Sequence, residues 1–239
     1  MKISEKLKMN ADGIRQHGPI NIVAFGDSIT HGILDYNEVD YDTTHWSRLR
    51  KKILSIREYV PVNAINSGID GITSKLCIER LERDAFNHNP DLLIVCFGHN
   101  DVNYPLEDYI SSLDTIFKKC NKKGIYTIFL TPNMFNTYSA DDTYVGWKPY
   151  SEKTAEMQNN GKVDTYIDSG KKVANENNIP ICDVYAMWKE LSKTEDITML
   201  LSNRISHPTR EMNEMTADAL FKMIFADEPE ILEKYNNQK

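Results

Sequence analysis

"NIVAFGDSITHG", residues 21–32, opens on an apolar run and turns polar at Gly26, Asp27 and Ser28. A short, continuously apolar run bounded by glycine reads as a buried strand, and this one delivers Ser28 to its carboxyl end. Runs of the same character recur, so strands are predicted at 20–25, 60–65, 91–97, 125–131 and 179–184. Helical periodicity fills the intervals, over 44–57, 74–86, 106–122, 160–177 and 210–226. Strands that are apolar throughout and joined by helices belong to a parallel sheet covered on both faces. The expected fold is α/β: a three-layer α/β/α sandwich around a five-stranded, mainly parallel sheet of flavodoxin-like type. Ligands of such sheets bind beyond the carboxyl ends of the strands, where strand order reverses.

With 239 residues and 41% hydrophobic content, the chain suits a single α/β domain over 1–239. Residues 1–18 are expected to form an N-terminal extension and 133–160 a long loop on the substrate side. The formal charge of -7 gives no electrostatic reason to approach nucleic acid or an anionic membrane, so a small molecule is the expected partner. The N-terminus lacks an apolar stretch of signal-peptide length, which implies a cytoplasmic location. Cys77, Cys96, Cys120 and Cys182 are widely spaced without a CxxC pair and read as buried, reduced thiols. The acidic cluster Asp35, Glu38, Asp40 and Asp42 lacks metal-ligand spacing and reads as a solvated loop, so neither a metal nor a cofactor is expected.

The polar residues that matter fall at strand ends. The first strand ends at Gly26-Asp27-Ser28, the second at "NSGIDGITS" (66–74) and the third at "GHND" (98–101). A serine hydroxyl is a weak nucleophile that needs a neighbouring base and donors for the oxyanion. The N–H groups of Ser28 and Gly71 and the amide of Asn100 are candidate donors, and His207 in "SNRISHPT" is the candidate base. Each position also has a structural role open to it. Asp27 or Ser28 can cap a helix, Gly71 can make a tight turn, and Asn100 can form an Asx-turn.

Taken in order, Gly26-Asp27-Ser28-Ile29-Thr30, Gly71, Gly98-His99-Asn100-Asp101 and His207-Pro208 resemble the four blocks of the SGNH (GDSL-type) hydrolases. The resemblance spans residue 20 to about 225. It implies an esterase or lipase in which Ser28 attacks the ester carbonyl, His207 is the general base, and Ser28, Gly71 and Asn100 form the oxyanion hole. The family's D-x-x-H block places an aspartate three residues before the histidine; Arg204 stands there in this chain. Asn203, four residues before His207, is the nearest polar replacement, with an amide oxygen able to accept from Nδ1–H; a backbone carbonyl, a water and a distant carboxylate are the alternatives.

The segment "NMFNTYSADDTYVGWKPY" (133–150) interleaves aromatic and polar residues, a pattern suited to sugar stacking or an acyl pocket. Asp27, His99, Tyr144 and Trp147 are the candidate substrate contacts. The implied reaction is hydrolysis of small O-acyl esters, acetyl groups on carbohydrate in the first place. The alternatives are a lysophospholipase, thioesterase or acyltransferase on the same centre, and a degenerate carbohydrate-binding protein without catalysis.

Overall fold

The computed structural model describes residues 2–237. Its strands are β1 (Ile20–Gly26), β2 (Ile33–Asp35), β3 (Glu38–Val39), β4 (Val62–Gly68), β5 (Leu92–Cys96), β6 (Thr127–Leu130) and β7 (Ile181–Cys182). Five of them form one sheet in the order β4-β1-β5-β6-β7, and every neighbouring pair is parallel. Counted in chain order among themselves, these strands run second, first, third, fourth, fifth, which is the flavodoxin-like order. The order reverses between β1 and β5, so the carboxyl ends of these two strands flank the expected crevice.

Composition explains the arrangement. Every residue of β5 is buried, as are Ile20, Ile22, Val23 and Phe25 of β1, because each strand is apolar on both faces. The edge strand β4 mixes Asn63, Asn66 and Ser67 with apolar residues and is only partly covered. Two packed helix pairs flank the sheet, His45–Ile56 with Arg210–Ile224 and Leu106–Lys123 with Lys162–Glu176. Threonine starts both members of the first pair: Thr44 accepts from the Ser47 N–H and Thr209 from the Met212 N–H. The four cysteines are buried and free.

Several local expectations are revised. The predicted helix 74–86 is broken into Ser74–Cys77, Leu81–Asp84 and a 3₁₀ turn at Phe86–His88. Between the pieces, the buried Arg80 turns inward, donating to the Ser67 carbonyl and Asp84 and lying 4.9 Å from the Phe25 ring centre. The long loop after β6 ends at a helix, Lys148–Asn159, instead of running to residue 160. The N-terminal extension contains the helices Ile3–Leu7 and Ala11–His17; Ile3 and Leu7 enter the core, and Lys6 Nζ pairs with Asp91 at 2.7 Å. The acidic segment after Gly32 folds as the hairpin β2–β3, its Tyr36-Asn37 turn closed by Asn37 at φ 58°.

Candidate active site

Ser28 is the first residue of a one-turn helix, Ser28–His31, that follows directly from β1. Asp27 caps it through a 3.1 Å bond from the Ile29 N–H to its Oδ1. Trp46 Nε1 donates to the Thr30 carbonyl at 2.8 Å and Asn66 Nδ2 to the His31 carbonyl at 2.9 Å, so the turn is tied down at its far end too. It lies directly on β4: a Cβ at Gly68 would stand 2.2 Å from the His31 nitrogen. Only glycine permits that approach.

His207 comes from the other end of the chain, on the loop before the helix Arg210–Ile224. Its Nε2 is 2.9 Å from Ser28 Oγ. The loop is held from within by Asn203, whose Oδ1 accepts the backbone N–H groups of Ile205, Ser206 and His207 at 3.0, 2.9 and 3.0 Å. It is also held from the β6 side, where Asn133 Nδ2 donates to the Ser206 carbonyl and the Asn136 N–H to the Ile205 carbonyl. The expectation for Asn203 is thereby corrected, because its oxygen is occupied by the loop backbone and does not receive Nδ1–H. Arg204 adopts φ 58° and turns outward to Asp142, with Nε–Oδ2 at 3.0 Å. Nδ1 of His207 is buried; the Leu34 backbone favours its protonated form, but no hydrogen bond of good geometry reaches Nδ1 among the described residues.

Burial governs the electrostatics here. Desolvation lowers the His207 pKa from the usual 6.5 to about 4, against opposing pulls from the Asp70 charge, the Leu34 backbone and Asp35. His99 is likewise lowered to about 4 by desolvation; its Nε2 donates to the Asn133 carbonyl at 2.7 Å. Asp27 moves the other way, to about 7, because burial disfavours its charge and Asp101 and Asp70 add repulsion. Asp101 accepts from the N–H and hydroxyl of Ser74 at 3.0 and 2.6 Å.

Ser28, His207, His99, Asn100, Asn203 and Trp147 line one cavity of about 270 Å³, together with Asp70, Phe135 and Tyr150. Asn100 donates through Nδ2 to the Ile72 carbonyl at 3.1 Å, which leaves one of its two amide hydrogens for another acceptor. Gly71 is next to the lining residue Asp70 and adopts φ 68°, a conformation that favours glycine. Two expected substrate contacts are placed differently. The Asp27 carboxylate is buried beneath the Ser28–His31 turn as a cap, and Tyr144 stacks on Tyr36 with ring centres 4.5 Å apart, outside the cavity lining. The lining residues that sequence reasoning did not single out carried signals of their own. Asp70 adjoins Gly71, and Phe135 and Tyr150 belong to the aromatic segment.

A larger hollow of about 490 Å³ lies between the N-terminal helix and Met223–Glu228, with neither histidine nor cysteine in its lining. Among the described residues no His, Cys, Asp and Glu cluster suits a metal, and no helix is long and apolar enough to cross a membrane.

Residues 24–215 match the model of the GDSL-like Lipase/Acylhydrolase family. An acetylxylan esterase from Geobacillus stearothermophilus superimposes with a TM-score of 0.67 at 22% identity, over 86% of this chain and 94% of that one. A lipase/acylhydrolase from Enterococcus faecalis gives a TM-score of 0.65 at 20% identity, over 87% of this chain and 96% of that one. At such identities the likeness is one of fold. The lipoprotein YqeF of Bacillus subtilis (strain 168), itself without an assigned activity, is 28% identical over 127 residues, which is 50% of this chain and 51% of that protein. The chain thus spans about half the length of the curated relative that it matches.

Proposed function

From the premise that the chain belongs to the GDSL-like lipase/acylhydrolase family, we propose that it is a serine esterase removing small O-acyl groups, acetyl groups on carbohydrate in particular. The observation that carries the reading is the 2.9 Å contact between Ser28 Oγ and His207 Nε2 inside a cavity. Neutral His207 takes the hydroxyl proton as Oγ attacks the ester carbonyl carbon, forming a tetrahedral oxyanion. The proposed donors to that oxyanion are the Ser28 N–H, which precedes the first intrahelical bond, the Gly71 N–H and the free amide hydrogen of Asn100. Each is worth about 3 kcal/mol of transition-state stabilisation in comparable sites. Collapse expels the alcohol, which takes the proton from His207 and leaves an acyl-Ser28 ester. Water, deprotonated by His207, then attacks that ester to release the acid and restore the serine.

Among the described residues, no carboxylate is hydrogen-bonded to Nδ1 of the imidazolium formed at each step. The charge of Asp70, which lines the same cavity, is the largest of the influences favouring that cation. Substrate size follows from the volume: about 270 Å³ suits a short acyl group, whereas a long chain would extend over the surface. No Lys or Arg lines the cavity among the described residues, which disfavours a phosphate headgroup. The fold relatives named as acetylxylan esterases support an acetylated sugar. Buried, unpaired cysteines support a cytoplasmic setting, and the lipoprotein relative supports export; fractionation of the native host separates the two.

A fluorophosphonate is expected to label the wild type and neither Ser28→Ala nor His207→Ala, and wild-type protein should release acetate from an acetylated sugar. Turnover restricted to long-chain esters would overturn the acetyl assignment. An unlabelled wild type would overturn the esterase and leave the non-catalytic sugar-binding alternative.

A further inference from the structure

The exposed aromatic rings around the cavity form a continuous group drawn from two distant parts of the chain. Tyr36, at the tip of the β2–β3 hairpin, is 52% exposed, and Tyr144, in the loop after β6, is 43% exposed. Their rings are stacked, 4.5 Å apart and 9° from parallel. Trp147 stands edge-on to both, at 5.8 and 5.7 Å, and is itself part of the cavity wall. Aromatic surface therefore runs without a break from solvent to the chamber that holds Ser28.

We propose that Tyr36, Tyr144 and Trp147 form a binding platform for a neutral pyranose ring, the alcohol half of the ester, while the acyl group occupies the cavity. Exposed rings keep apolar faces in water, and the axial C–H face of a sugar covers such a face while its hydroxyls turn to the polar rim. That rim is supplied by the phenol tips and by the carboxylates of Asp35, next to Tyr36 in the hairpin, and Asp70, in the cavity lining. Carboxylates accept hydrogen bonds from hydroxyls and repel an acidic sugar or a phosphate, so the ligand class is a neutral saccharide. The orientation, acyl group inward, rests on the proposed esterase reaction. Binding of the sugar does not.

The test uses the full chain carrying Ser28→Ala, with xylotriose as the probe. Trp46 and Trp188 are buried at 8% and 0% exposure, so Trp147 is the tryptophan whose fluorescence reports on a ligand at this surface. Saturable quenching is expected, with Kd weakened about tenfold by Tyr36→Ala, equivalent to about 1.4 kcal/mol, and restored by Tyr36→Phe. A thermal melt of each variant checks folding, and Tyr144→Ala replaces Tyr36→Ala if the hairpin fails to form. Absence of saturable binding to the Ser28→Ala protein, or equal affinity after loss of the Tyr36 ring, overturns the platform. Sugar binding by a wild type that releases no acetate would sink the esterase and spare the platform. Acetate release without sugar binding would do the reverse.

Discussion

In the proposed reaction His207 takes a proton from serine and must be neutral when substrate arrives, a state that its burial favours. With its pKa near 4, the ring stays uncharged far below the usual histidine range. The acid limb of kcat/KM is therefore expected near pH 4, where a solvated histidine would place it near 6.5. A pH–rate profile with its limb at 6 or above would contradict the dry environment of the ring. The same burial makes the imidazolium hard to form, which is where Asp70 enters. Removing its charge in Asp70→Asn is expected to move the limb further down and to lower kcat, with KM for a neutral ester little changed; an unmoved limb would show that Asp70 does not act on His207. That Ser28 and His207 come together was legible in the sequence because their ordered blocks are distinctive. The way His207 is supported was not, since the role of Asn203 depends on a loop that turns its amide oxygen onto three backbone N–H groups.

At the level of elements, legibility followed apolar content. Four of the sheet strands were readable because each lies in a short apolar run; the mixed strand β4 was expected at 60–65 and runs Val62–Gly68, and the hairpin β2–β3 has only three and two residues and is fixed by its surroundings. The helix Lys148–Asn159 escaped a search for an apolar stripe because much of its buried face is polar. Thr154 donates to Asn136 Oδ1 at 2.7 Å, and Gln158 accepts from the Phe135 N–H at 2.9 Å and donates to the Tyr185 hydroxyl oxygen at 2.7 Å. Those bonds also anchor the cavity wall on the side of Phe135. The turn that carries Ser28 has its own dependence, on Gly68. An alanine there must push the helix Ser28–His31 off β4, since its methyl would lie 2.2 Å from one backbone atom and 2.6 Å from another. Gly68→Ala is expected to cost about 1–3 kcal/mol of stability and at least about tenfold in kcat/KM, because Ser28 moves with the turn. A thermal melt and kinetics on one preparation check it; wild-type activity in the variant would mean that the turn is less rigidly seated.

For the molecule as a whole, buried ionisable groups set the response to acid. His45, His99 and His207 are all lowered from 6.5 to about 4 by burial. A histidine depressed in the folded state binds its proton more readily when unfolded, so its contribution is intact above pH 6.5 and is lost as pH falls to 4, by up to about 3 kcal/mol each. Asp27, raised from 3.8 to about 7, has the opposite sign: its burial costs most above pH 7, and up to about 4 kcal/mol of that cost is relieved as pH falls to 3.8. Asp101 is raised as well and acts in the same sense as Asp27. Between pH 6.5 and 4 the three histidines outweigh the two aspartates, so unfolding takes up protons and stability declines on acidification. The ion-paired carboxylates held below their usual range, such as Asp40 with Arg210 and Asp114 with Lys118, deepen that loss at the acid end. The thermal midpoint is thus expected to fall steadily from pH 7 to pH 4.5, and replacing the buried His45, whose Nε2 has no hydrogen-bond partner among the described residues, by Gln should flatten the slope by close to one proton. A midpoint that rises on acidification would show that Asp27 and Asp101 dominate the linkage. In that case the core beneath Ser28 would be held together by two protonated carboxyl groups.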